Sequence, residues 1–346
     1  MTTARHRAPA RPLRRHLPPP LLLLGAIIIG IVAAALAPGT GESLDQSTTM
    51  TLFVLVVLIL LPLDLAAMRA ALSSRRLVAA ALVLNFLVIA PIGIGLAWLT
   101  LNGHPAAMLG LMLYFLAPCT DWFLAFTRIA GGNTAAAAAL VPANLVGQVL
   151  LFPVVVMLGA GTSTGTLSPG ELSSTLALWF GAPIALAVAA RLVLARIGSR
   201  ERAAVDATRI TDALVPWVLA ALVLQIFMSN APVMADHNTL VLPVLATTAL
   251  FLAGSLGIAT ATAFRLRLPR ADRVTLTMTT AARNAPMMLA MSMVAFPDQP
   301  VLHATIVLAM LLEFPHLSLL AHVLRERPRT PAARSNYEQA EPVPHR

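Results

Sequence analysis

The sequence contains no lysine, a single cysteine, two tyrosines and only 11% charged residues. Soluble domains carry about 25% charged residues, so 11% cannot solvate the surface of a 346-residue chain. One cysteine excludes a disulfide scaffold and any multi-thiolate centre within the chain. There is no Walker loop, dinucleotide-binding glycine pattern, zinc spacing or nucleophile elbow. Nothing therefore supports an ATPase or a membrane enzyme, and no cofactor is expected. What is abundant is apolar: 58% hydrophobic residues and a mean hydropathy of +0.80. This is the composition of an integral membrane protein, with the lipid bilayer as its surroundings. In a soluble protein a net charge of +9 would suggest nucleic acid. Here it is expected to label loops on one side of a bilayer, and no nucleic-acid partner is expected.

A membrane-crossing helix needs about 20 apolar residues. Such runs fall at 20–37, 50–68, 77–100, 106–129, 134–160, 172–195, 212–229, 239–264, 274–296 and 299–323, predicting ten spans. The loops support that number. Of the 24 arginines, 23 fall before the first span, after each even-numbered span (or, for Arg128 and Arg191, at its end) and in the tail. The intervening loops carry Glu42, Asp45, Glu171, Asp236 and Asp298, and no arginine. The positive-inside rule then places both termini in the cytoplasm of a cell (plasma) membrane. Reading the first span as a signal peptide would break the alternation, and Pro38 directly after Ala37 suits cleavage poorly. Trp98 and Trp179 fall where an aromatic belt would lie.

Ten spans divide into five plus five, and an odd number per half forces opposite orientations. The predicted architecture is an all-α polytopic membrane protein of two inverted five-helix repeats, with panel and core bundles. Its parts are an Arg-rich leader (1–19), a first repeat (20–160), an external linker (161–171), a second repeat (172–323) and a cytoplasmic tail (324–346). In each half the fourth span is interrupted: Ala117-Pro118-Cys119-Thr120-Asp121 in one, Ala282-Arg283-Asn284-Ala285-Pro286 in the other. Lipid tolerates no such break unless it is buried in protein or lines a cavity. Paired breaks in inverted repeats point to a transporter's midplane site, so helices four and nine are expected to cross there.

Asp121, Arg283 and Glu313 lie near the middle of their spans. Each charge at that depth costs about 3 kcal/mol, which packing alone would not retain. Asp121 and Arg283 either neutralise one another as a structural pair, or serve as a cation or proton site and an anion-attracting group. Glu313 and His316 share a helical face at i, i+3. That pair lacks further metal ligands, so a titrating carboxyl that couples transport to protons is the better reading and no metal is expected. Cys119 follows Pro118 and is either a small packing residue or a thiolate that selects soft partners. Asn144 and Gln148 stack at i, i+4, suited to a cation, a hydroxylated solute or a bridge between helices. Asp64 and Asn85 are weaker candidates.

These residues resemble the bile acid/arsenite/riboflavin transporter superfamily, and within it the arsenite permeases. Leu116-Ala117-Pro118-Cys119-Thr120 looks like the Ala-Pro-Cys-Thr segment of that branch. Leu312-Glu313-Phe314-Pro315 is similar to its Glu-x-Pro in the last span. Asn144 and Gln148, followed by Pro153, look like its fifth span. The resemblance implies a secondary transporter that exports arsenite against proton entry, with Cys119 meeting As(III) and Glu313 carrying the proton. Asp121 and Arg283 depart from the arsenite branch. Arg283-Asn284-Ala285-Pro286 looks closer to the Gln-Asn-Ala-Pro-like segment of sodium-coupled bile acid symporters. That likeness implies the alternative of sodium-coupled uptake of an organic anion, with Arg283 at a carboxylate and Asn144, Gln148 and Asn284 serving the cation. A receptor or sensor on the same scaffold is a third class, against which the short Pro-rich tail argues.

Overall fold

The computed structural model describes residues 19–37, 44–62, 75–120, 122–160 and 169–325. Asp64 and Asp121 lie outside the described residues. Those described form an all-helical protein. Its elements are α1 (Pro19–Leu36), α2 (Asp45–Leu60), α3 (Arg75–Leu101), α4 (Pro105–Leu116), α5 (Trp122–Ile129) and α6 (Thr134–Ala160). They continue as α7 (Pro169–Ile197), α8 (Arg200–Asp236), α9 (Val241–Arg265), α10 (Arg270–Ala281), α11 (Ala285–Ala295) and α12 (Pro300–Leu324). Among the described residues five helical stretches are long and apolar enough to cross a membrane: Arg75–Leu101, Thr134–Gly159, Arg202–Ser229, Asn238–Arg265 and Pro300–Leu324.

Several helices differ from the apolar runs that announce them. Helix α2 starts at Asp45, before the run expected at 50–68, because Gln46, Ser47 and Thr48 continue a helix that lipid need not cover. Helix α8 has 37 residues, about 55 Å, and overshoots a bilayer core of about 30 Å. Its first turns carry Arg200, Arg202, Asp206 and Arg209 ahead of the apolar stretch. The fourth and ninth expected spans are each two helices, α4 with α5 and α10 with α11.

Contacts sort the helices into two groups. Helices α1, α2, α7 and α8 pack on one another, while α3 to α6 and α9 to α12 form the larger body. The groups meet where α12 touches α1 and α8, and where α11 touches α2 and α7. The broken helices fill the centre of the larger body. Every residue from Ala107 to Leu116 is buried, as are Val274 to Ser292. Outer helices turn apolar side chains outward instead, among them Leu99, Leu150 and Leu242. That inside-out pattern suits a lipid surround, where apolar exposure costs nothing.

Small residues bring the central helices close. A Cβ on Gly110 of α4 would lie 2.8 Å from the Leu302 carbonyl of α12, so only glycine permits this contact. At one end of the bundle the turn between α5 and α6 docks on the start of α10. There Asn133 donates from its side chain to Asp272 Oδ1 (2.8 Å) and from its backbone to Thr275 Oγ1 (2.8 Å). The two broken pairs are thereby fixed to each other away from the crossing as well as at it.

Candidate functional site

Helix α4 stops at Leu116 because Pro118 follows. A residue preceding proline is pushed out of the helical region, and Ala117 is extended (φ −99°, ψ 105°). Helix α10 stops at Ala281, and Ala282 is likewise extended (φ −92°, ψ 138°). The two extended segments cross antiparallel, with Pro118 opposite Arg283. Cys119 N–H donates to the Ala282 carbonyl (3.0 Å) and Asn284 N–H to the Ala117 carbonyl (2.8 Å). Pro118 therefore occupies the non-hydrogen-bonded position of this small ladder, where its missing N–H costs nothing. Pro286 sits in the first turn of α11, where an N–H would have no helical partner in any case. Each break thus supplies the hydrogen bonds that lipid would deny the other.

The Arg283 N–H points away from Pro118, and Glu313 of α12 takes it. Glu313 Oε1 accepts from Arg283 N–H at 2.7 Å, and Oε2 accepts from the Tyr114 hydroxyl at 3.0 Å. One carboxylate therefore holds the end of α4 and the second break together. The Arg283 side chain is wholly buried. Its guanidinium donates to the carbonyls of Phe115 (3.1 Å), Thr280 and, more weakly, Thr279 (3.5 Å). It lies 5.6 Å from the ring centroid of Phe251, which stacks on Phe115 at 4.0 Å.

Amides bind the second break to the first. The Asn284 amide donates to Thr120 Oγ1 (2.9 Å) and Gln148 Oε1 (3.2 Å), while its oxygen caps α11 by accepting from Met287 N–H (3.3 Å). Asn144 donates to the Cys119 carbonyl (3.3 Å) and to Thr279 Oγ1 (3.3 Å). Asn85 donates to the same Thr279 hydroxyl at 3.4 Å. It reaches this depth from a π-helical stretch of α3, Val83–Ile89, in which Ala90 N–H bonds the Asn85 carbonyl. Such widened turns are common at functional sites. Five buried atoms here have no hydrogen-bond partner among the described residues: Asn85 Oδ1, Asn144 Oδ1, Gln148 Nε2, Thr280 Oγ1 and Arg283 Nε. An unsatisfied buried polar atom costs about 1–3 kcal/mol, so these atoms favour a polar or ionic occupant.

The crossing thus brings together Pro118, Cys119, Thr120, Asn144, Gln148, Arg283, Asn284, Pro286 and Glu313. Cys119 is fully buried. The proposed partnership of Asp121 with Arg283 falls outside the described residues, and the guanidinium is held by backbone carbonyls. His316 is turned partly outward on α12, and its Nε2 has no partner among the described residues. Sequence reasoning missed Tyr114, Phe251, Thr279 and Thr280. A signal existed only for the threonines, which crowd into Thr275, Thr277, Thr279 and Thr280 in the buried half of their helix.

A multi-pass protein whose two broken helices cross through backbone hydrogen bonds around buried charge has the build of a membrane carrier. The chain belongs to the Sodium Bile acid symporter family, whose sequence profile matches residues 49–241. That stretch contains the first break, Asn144 and Gln148. The chain is also 28% identical, over 138 residues, to the Arsenical-resistance protein Acr3 of Corynebacterium glutamicum. The match covers 37% of this chain and 37% of that protein, little more than a third of the relative's length. The family is named for symporters, which are membrane transporters.

Proposed function

We propose that this protein is a secondary carrier that exports arsenite in exchange for protons across the plasma membrane. One observation carries the reading. Glu313 joins both helix breaks through its two oxygens, at a crossing whose first strand holds the chain's only thiol. A proton on Glu313 removes one of those acceptors and loosens the crossing, so protonation and pocket geometry are coupled. Cys119 supplies the soft sulfur that As(III) prefers. Thr120 and Asn284 shape the polar wall, and the relative named for arsenical resistance supports the substrate.

The two helix groups act as panel and core of two inverted repeats, with both termini in the cytoplasm. The crossing is closed by backbone hydrogen bonds, so access changes by rigid movement of one group against the other. A cleft of about 390 Å³ between α2 and α11, lined by Thr48, Thr49, Leu52, Met293, Val294, Pro297 and Asp298, lies at the seam where such movement occurs. The test is arsenite resistance in sensitive cells. Wild type is expected to confer it, Cys119→Ser and Glu313→Gln to lose it. Unchanged sensitivity with wild type would remove the substrate assignment.

The unpartnered oxygens of Asn85 and Asn144 favour a second reading, sodium-coupled uptake of an organic anion. Sodium-dependent accumulation of a labelled carboxylate in vesicles would identify it. Arg283 fits that reading poorly as a substrate anchor, because backbone carbonyls already hold both terminal nitrogens of its guanidinium and leave only Nε without a partner among the described residues.

A further inference from the structure

The guanidinium of Arg283 stands where two helices end. Phe115 lies in the last turn of α4, and Thr279 and Thr280 lie in the last turn of α10. The carbonyls of a helix's last turn have no helical donor, and each helix C-terminus carries about half a negative charge. Two such ends converge here, so the carbonyl cluster presents about one unit of negative potential, with oxygens facing a single point. In carriers built from broken helices, carbonyls at half-helix ends are the groups that coordinate a coupling cation. In this protein one of its own side chains fills that place. Arg283 is fully buried, permanently charged, and donates to carbonyls from both helix ends.

We propose that Arg283 is a built-in cation, occupying a carbonyl site that would otherwise take a monovalent ion, so that this carrier operates without sodium. The inference rests on the proton-coupled reading above and deepens it: Glu313 carries the exchangeable positive charge, because the cationic position at Arg283 is tethered. Of the chain's 24 arginines, Arg283 is then the one that sets which ion drives transport.

Shortening the side chain tests this. Arg283→Gln withdraws the charge and leaves the Phe115 and Thr280 carbonyls without their donor. Purified protein is melted in sodium chloride and in choline chloride at equal ionic strength, with unfolding followed by tryptophan fluorescence. Wild type and Arg283→Lys are expected to melt identically in both salts. Arg283→Gln is expected to gain a sodium-dependent rise in Tm, on the order of 3 °C at sodium about tenfold above its Kd. A glutamine variant that is recovered only when sodium is present during purification supports the proposal equally. A folded glutamine variant indifferent to sodium overturns it. So does a sodium-dependent Tm in the wild type, a measurement that stands even if no glutamine variant can be purified. No substrate is needed in this assay. A failed arsenite test therefore leaves it intact, and a failure here leaves the arsenite test intact.

Discussion

Replacing Glu313 separates its structural duty from its chemical one. In Glu313→Ala two hydrogen-bond donors lose their acceptor: Arg283 N–H, now bonded at 2.7 Å, and the Tyr114 hydroxyl, at 3.0 Å. Both residues are fully buried, so no solvent replaces the carboxylate. A stranded buried donor costs about 1–3 kcal/mol, which gives about 4 kcal/mol for the pair. Glu313→Gln behaves differently. Its amide oxygen still accepts from Arg283 N–H, and its NH2 group meets a Tyr114 oxygen that can accept once the hydroxyl proton rotates. Only the charge assistance is lost, about 1 kcal/mol for each bond. In a chain of this size each kcal/mol moves Tm by about 2 °C, so the expected losses are about 8 °C for alanine and about 4 °C for glutamine. The chain supplies its own probe. Its four tryptophans report unfolding by their fluorescence. Resistance to arsenite is measured alongside. Glutamine should abolish it while the fold survives, because an amide cannot carry the proton. An alanine variant that melts with the wild type would refute the bridging geometry. A glutamine variant with full resistance would refute the proton-carrying role.

Other expectations follow from single contacts. Cys119→Ser should lose arsenite resistance yet keep its fold, since Cys119 joins the crossing through its backbone N–H and carbonyl; tryptophan fluorescence melting within a few degrees of wild type checks this. Gly110→Ala should destabilise by about 1–3 kcal/mol, because the added methyl meets the Leu302 carbonyl at 2.8 Å. Gly95→Ala, with nothing within 4 Å, is its neutral control, and equal melting of the two would overturn the argument for close packing of α4 on α12. A fluorescent protein fused after Arg346 should fold and emit, as it does only in the cytoplasm; a dark fusion complemented by an active external reporter would reverse the assigned orientation.

Much of this architecture was legible because bilayers punish irregularity. Proline beside polar residues inside an apolar run has few explanations, so the breaks at Pro118 and Pro286 could be located from sequence, and Asn144 and Gln148 could be placed on one face by their spacing. The choice of partner was not legible in the same way. Tyr114 and Glu313 are 199 residues apart, and nothing in the apolar helix around Tyr114 marks the side on which a carboxylate will arrive. The case of Arg283 is sharper. A search for its partner among side chains selects Asp121, since a buried charge demands compensation and carboxylates are visible in a sequence. Asp121 lies outside the described residues, and among those described the acceptors of Arg283 are the backbone carbonyls of Phe115, Thr279 and Thr280, groups that every residue owns and that no composition reveals. They become acceptors only because two helices stop within reach of one side chain. The signal lay in the breaks themselves: a broken helix in lipid creates carbonyls without donors, and an arginine placed at the other break is a donor without an acceptor. Read together, the two anomalies answer each other, and neither explains itself alone.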